Sequence, residues 1–175
     1  VHRDLKPSNI LVDQQGKPHV LDFGLAKLIA RDEGDATHWR DMTITGQFVG
    51  TLPWSTPEQV RGNTDDIDIR TDVYALGVLF YHALTNRFPY DIDGSPQEVM
   101  TNILDREPAR PSSTERRIDP DVETILLKSL SKERERRYQS AGELARDLQR
   151  FLAGDAIEAK RDSGLYVLKK YLRRY

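Results

Sequence analysis

The sequence predicts an α+β chain that is predominantly α, with a small β-hairpin element near its start. Two short apolar runs, Ile10–Val12 and His19–Leu21, flank a polar Asp13-Gln14-Gln15-Gly16-Lys17-Pro18 turn, which reads as a pair of hairpin strands. Four later segments repeat apolar residues at helical spacing. Of the 175 residues 38% are hydrophobic, enough to build a core.

From Ala30 to Thr56 the chain is polar and irregular, with Gly34, Gly46, Gly50 and Pro53. A loop that long inside a compact domain is either disordered or functional. Thr71 is expected to cap a helix from Asp72 to about Leu84, with Val73, Leu76, Phe80, Ala83 and Leu84 at helical spacing. A second helix is expected over Ser95 to Asp105, where Ser95 suits the cap and Pro96 the first turn, with Pro108 and Pro111 closing it. A third fits Val122 to Leu130, with Val122, Ile125, Leu126 and Leu130 on one face. A fourth fits Ser140 to Ala153, with Ser140 and Glu143 in capping-box register, Leu144, Leu148, Phe151 and Leu152 inward, and Gly154 as the stop. After Gly154, residues 155–175 interleave Lys160, Arg161, Lys169, Lys170, Arg173 and Arg174 with Leu165, Tyr166, Leu168, Tyr171 and Leu172.

Composition narrows the function classes. The 26 Lys+Arg nearly balance the 28 Asp+Glu, so overall charge does not drive nucleic-acid binding. No cysteine is present, which excludes disulfides and thiolate zinc sites. The longest apolar stretch, Ala75 to Leu84, is shorter than the ~20 residues of a membrane span, and Arg3, Asp4 and Lys6 break any leader at the start. A soluble chain is expected.

The chemistry-bearing residues open the sequence: His2-Arg3-Asp4-Leu5-Lys6-Pro7-Ser8-Asn9, then Asp22-Phe23-Gly24. They supply a carboxylate between two cations, an amide five residues on, and a second carboxylate after the strand pair. Asn9 and Asp22 are hard oxygen ligands of the kind Mg²⁺ accepts beside phosphates and water. Asp4 remains to orient a hydroxyl.

These residues resemble the catalytic loop (H-R-D-L-x-x-x-N) and metal-binding motif (D-F-G) of eukaryotic-type protein kinases, in particular the bacterial receptor-like serine/threonine branch. Gly50-Thr51 through Thr56-Pro57-Glu58 is similar to the segment ending in A-P-E, with Thr56 in place of the alanine and Leu52-Pro53-Trp54 departing from the usual Pro-x-Tyr. Asp72-Val73-Tyr74-Ala75-Leu76-Gly77 resembles the start of the family's central helix, and Arg137 stands where the family places the partner of that glutamate, here Glu58. The resemblance covers residues 1–154, read as the C-terminal lobe of a catalytic domain, with 155–175 a basic post-domain or juxtamembrane segment.

The resemblance implies roles. Asp4 would accept or orient the acceptor proton, Lys6 would neutralise the transferred phosphoryl group, and Asn9 and Asp22 would hold Mg²⁺ (or Mn²⁺) against ATP. Lys6 and Thr51 are similar to the serine/threonine branch, so the implied substrate is a protein Ser or Thr hydroxyl. Arg3 would pair with a phosphorylated loop residue, for which Thr43 and Thr45 are the candidates. His2 is expected as scaffold, Asp72 as a hydrogen-bond partner of the catalytic-loop backbone, and Glu58 with Arg137 as a buried pair. A complete kinase also needs a Gly-rich loop and a strand lysine. No two of the eleven glycines are spaced Gly-x-Gly, so an N-terminal lobe is expected in cis from a longer parent and the 175 residues alone are expected to be inactive. A homodimer for trans-autophosphorylation and a membrane anchor outside this chain follow from the same resemblance, with a location in the cytoplasm or at the membrane's cytoplasmic face. The competing expectation is a non-catalytic C-lobe that binds protein partners.

Overall fold

The computed structural model describes residues 1–21, 50–115 and 117–160. Asp22, Thr43, Thr45 and the basic stretch after Lys160 lie outside the described residues. Strand β1 (Ile10–Val12) pairs antiparallel with β2 (Pro18–Val20), setting Ile10 opposite Val20 and Val12 opposite Pro18. The second strand sits one residue earlier than expected, because Pro18, which has no N–H to donate, is tolerated at the edge of a two-stranded sheet. The Asp13 carboxylate closes the turn by accepting the Gln15 and Lys17 N–H groups, both at 2.9 Å.

Helices dominate the rest. Helix α1 (Pro57–Arg61) was not expected: Thr56 and Gln59 form a capping box around its first turn, and Gly62 ends it in the left-handed conformation at φ 73°. Helix α2 (Ile69–Thr85) starts earlier than the sequence suggested, since Asp68, not Thr71, is the cap, accepting the Arg70 N–H at 2.8 Å. A carboxylate at that position matches the positive end of the helix dipole. Helix α3 (Pro96–Asp105) has Ser95 and Glu98 as a reciprocal capping box. The single turn α4 (Pro111–Thr114) follows. Helix α5 (Pro120–Ser129) begins two residues before Val122, with Asp119 as cap and Pro120 in the first turn. Helix α6 (Ala141–Leu152) is capped by Ser140, but Glu143 reaches back to the Gln139 N–H rather than to that of Ser140.

Helix α2 is the axis of the molecule. Tyr74, Val78 and Tyr81 face one core cluster with Leu52, Tyr90, Val99, Ile103 and Leu130. Val73, with Leu76 and Phe80 at its side, faces a second cluster with Ile125, Tyr138, Leu144 and Ile157. A helix buried on two faces carries apolar residues around most of its circumference, so a single-face reading misassigns its end. Ala83 and Leu84, which share the helical spacing of Val73, Leu76 and Phe80, are exposed, as is Leu152, expected inward, at the end of α6. The segment after Gly154 stays on this body: Ile157 is fully buried, and the buried Asp147 carboxylate accepts the Tyr138 hydroxyl and the Glu158 and Ala159 N–H groups.

Helices α2 and α5 touch at Gly77, where an added Cβ would lie 2.9 Å from the Ser129 Cβ. Ser129 Cβ is anchored directly to backbone and cannot swing away. Gly77→Ala is therefore expected to lower stability by about 1 kcal/mol or more, the overpacking cost outweighing the alanine's better helix propensity. A denaturation midpoint at or above wild type contradicts this packing.

Candidate active site

Arg3 has φ 70°, a left-handed conformation that costs a non-glycine residue about 1–3 kcal/mol unless its surroundings impose it. They do so from two sides. The Asp72 carboxylate, in the first turn of α2, accepts the His2 N–H at 2.7 Å and the Arg3 N–H at 3.0 Å. Gln59, in α1, donates its side-chain amide to the Arg3 carbonyl at 2.7 Å. His2 is buried; its Nε2–H donates to the Leu21 carbonyl at 2.8 Å, while its Nδ1 accepts the Asp4 N–H at 3.3 Å, which defines the neutral tautomer.

The turn so formed presents a compact polar cluster. The Asn9 Nδ2 donates to the Asp4 carbonyl at 2.8 Å and to Asp4 Oδ2 at 2.9 Å. The Lys6 ammonium meets the same Oδ2 at 3.0 Å and reaches the Thr51 hydroxyl at 3.4 Å. Asn9 is buried in a 3-10 turn, Pro7–Asn9, and its carbonyl accepts the Leu21 N–H at 2.8 Å. Leu21, the residue before Asp22, is thus tied to both His2 and Asn9. A small cleft opens beside this cluster, lined by Asp4, Thr51, Trp54, Ser55 and Gln59 among others. The arrangement gathers a carboxylate, an ammonium, an amide and a hydroxyl from segments 45 residues apart in sequence.

Behind the cleft lies an almost fully buried ion pair. Arg137 Nη1 and Nη2 meet Glu58 Oε1 and Oε2 at 2.8 and 2.9 Å, with side-chain exposures of 0% and 2%. The remaining guanidinium hydrogens go to the carbonyls of Ser131, Arg70 and Lys132, and the group sits 4.8 Å from the Tyr74 ring centre. Thr71, expected as a helix cap, instead donates its hydroxyl to Glu58 Oε1 at 2.9 Å. Burial alone would raise the Glu58 carboxyl, but the Arg137 hydrogen bonds and charge outweigh it and hold it below the ordinary value.

Of the residues the sequence singled out, Arg3, Asp4, Thr51 and Asp72 line the cleft, Lys6 and Asn9 bond to Asp4 beside it, His2 is buried next to them, and Glu58 with Arg137 lies behind. Asp22, Thr43 and Thr45 lie outside the described residues. Sequence reasoning missed Gln59, although Thr56-x-x-Gln59 is a legible capping-box signature. It also missed the Asp66, Asp68, Arg70 and Arg134 ion network, in which Arg134 meets Asp66 Oδ1 at 2.6 Å and Arg70 meets Asp68 Oδ2 at 2.6 Å. No sequence spacing reports that cluster. Among the described residues no helix is long and apolar enough to cross a membrane.

The chain is 38% identical over 159 residues to the serine/threonine-protein kinase PknB of Mycobacterium tuberculosis, covering 91% of this chain and 24% of that protein. It is 39% identical to the Mycobacterium leprae protein of the same name over 91% of this chain and 24% of the relative. A probable serine/threonine-protein kinase of Streptomyces coelicolor is 38% identical over 91% of this chain and 22% of its own length. The chain thus spans about a quarter of the length of these relatives. A protein kinase domain profile matches residues 1–148, so the chain belongs to the protein kinase domain family.

Proposed function

We propose that this chain is the phosphotransfer-bearing part of a serine/threonine protein kinase, which moves the γ-phosphoryl group of ATP to Ser or Thr hydroxyls of proteins. The convergence of Lys6 and Asn9 on one oxygen of Asp4, with Thr51 beside Lys6, carries the reading. Asp4 orients the acceptor hydroxyl and takes its proton as the oxygen attacks phosphorus and the bond to the ADP oxygen breaks. Lys6 sits within reach of both the Asp4 carboxylate and Thr51, where its charge offsets that developing on the transferred group. Thr51 fixes the acceptor-side segment against the catalytic loop.

The donor set fits a magnesium or manganese ion. Asn9 commits its amide nitrogen to Asp4, which leaves Oδ1 as the ligating end, contacted at 3.4 Å by the Ser8 hydroxyl. Asp22 would complete the pair with a carboxylate. Bound with ATP, the ion would neutralise phosphate charge. Arg3 is assigned to receive a phosphate carried on Thr43 or Thr45, added in trans within a homodimer, and the N-terminal lobe and any membrane anchor are assigned to the parent protein. On this reading residues 155–175 follow the catalytic domain, and the enzyme works at the cytoplasmic side. A partner-binding module has no use for a lysine and an amide converging on one carboxylate oxygen, which favours the enzyme.

The test is direct. The protein carrying this chain, incubated with γ-labelled ATP, Mg²⁺ and an acceptor protein, is expected to yield labelled phosphoserine or phosphothreonine. Absence of label, or label on tyrosine alone, refutes the assignment.

A further inference from the structure

Gln59 has no part in the phosphotransfer chemistry proposed above, yet it makes a side-chain bond between α1 and the backbone that carries Asp4. Its side chain is buried and its two ends are spoken for: Oε1 accepts the Thr56 N–H at 3.0 Å, and Nε2 donates to the Arg3 carbonyl at 2.7 Å. An N–H on one side and a carbonyl on the other fix the orientation of the amide, since a flip would leave both bonds unmade. The peptide between Arg3 and Asp4 is consequently held at both ends, its carbonyl by Gln59 and its N–H by His2 Nδ1 at 3.3 Å. Because Arg3 has φ 70°, that peptide plane is set by its partners rather than by intrinsic preference. The same helix is locked at Glu58 to Arg137 and Thr71.

We infer that Gln59 is a positioning residue for phosphotransfer: its amide transmits the placement of the acceptor-side segment, Thr51 to Arg61, to the peptide that aims the Asp4 carboxylate. The inference rests on the kinase reading. A second side-chain link between the two segments, the Lys6 to Thr51 contact at 3.4 Å, is longer and rides on a flexible lysine. Gln59 is thus the stiffer coupling between the place where a substrate hydroxyl lies and the base that receives its proton.

Gln59→Glu keeps the shape and the acceptor for Thr56 but replaces the donor to Arg3 with an oxygen. In the protein that carries this chain, kcat is expected to fall about tenfold or more, given that displacement of about 1 Å can cost about 10²-fold. KM for ATP is expected to stay within about twofold, because the lost interaction acts on the chemical step. The deficit is expected to shrink as pH falls, since a protonated glutamate regains a donor hydrogen. Gln59→Met, with no donor at any pH, should lose kcat without that recovery. Thr56→Ala removes the cap hydroxyl but leaves the Gln59 to Arg3 bond; it should lower Tm and spare kcat. A Gln59→Glu enzyme with wild-type kcat overturns the inference, as does a Thr56→Ala enzyme that loses as much, or a failure of both Gln59 variants to fold. An inactive wild-type protein would instead refute the kinase assignment itself.

Discussion

Arg137→Met is expected to destabilise the fold by about 3–5 kcal/mol, because it strands a buried carboxylate. All five N–H groups of Arg137 are engaged, two by Glu58 and three by backbone carbonyls of Ser131, Arg70 and Lys132. The methionine fills the volume but leaves Glu58 at 2% exposure without its cation. The effect has a pH signature whose sign follows from the carboxyl. In the wild type the Glu58 pKa is lowered from its ordinary 4.5, so its contribution is complete above that value and is lost as pH falls through the lowered one. In the variant, burial without a partner raises the same pKa, so protonation relieves the variant. The stability gap between the two proteins should therefore narrow from about pH 7 to about pH 4, measured by urea denaturation. Glu58→Gln combined with Arg137→Met should recover part of the loss, the sign of a coupled pair. A gap that stays constant or widens on acidification contradicts the buried-pair account.

Asp4→Asn is expected to reduce kcat by about 10²–10⁴-fold, the range for loss of a positioned general base. The substitution keeps an oxygen that can accept from the Asn9 amide at the 2.9 Å contact, so the turn and the fold should persist with an unchanged melting temperature. What it removes is the negative charge that meets Lys6 at 3.0 Å and that the proposed mechanism uses to receive the acceptor proton. Turnover at the wild-type rate in a folded Asp4→Asn protein would show that the carboxylate is not the base. Paired with Arg137→Met, this experiment separates two kinds of residue within one motif set, one whose loss is read in folding and one whose loss is read in rate.

Local chemistry explains which elements were legible from residues alone. Ser95-Pro96 before an amphipathic run announces α3, since a hydroxyl cap and a proline in the first turn satisfy the same orphan N–H groups wherever they occur. The hairpin was equally readable from its Asp13 to Pro18 turn, to within one residue. Helix α2 was found but misbounded. Its cap is Asp68, and its inward residues occupy two faces that together leave only a narrow polar side, so no single apolar stripe stands out. The short helix α1 escaped because five residues offer too few turns for a period to show, although its capping box was in plain sight.

The sequence by itself determined the inventory of chemistry, since His2 to Asn9, Asp22, Thr51, Glu58, Asp72 and Arg137 stand in an order that a protein kinase domain shares, and order is a property of the chain. Only the tertiary structure decided which of these groups meet. Asp72 reaches the Arg3 N–H across 69 residues, Gln59 reaches the Arg3 carbonyl across 56, and Arg137 reaches Glu58 across 79. Such contacts leave no local spacing to read. They arise because α2, buried on two faces, brings its first turn under the His2 to Asn9 segment while α1 lies beside it, so the left-handed Arg3 is imposed by distant partners and not by its own preference.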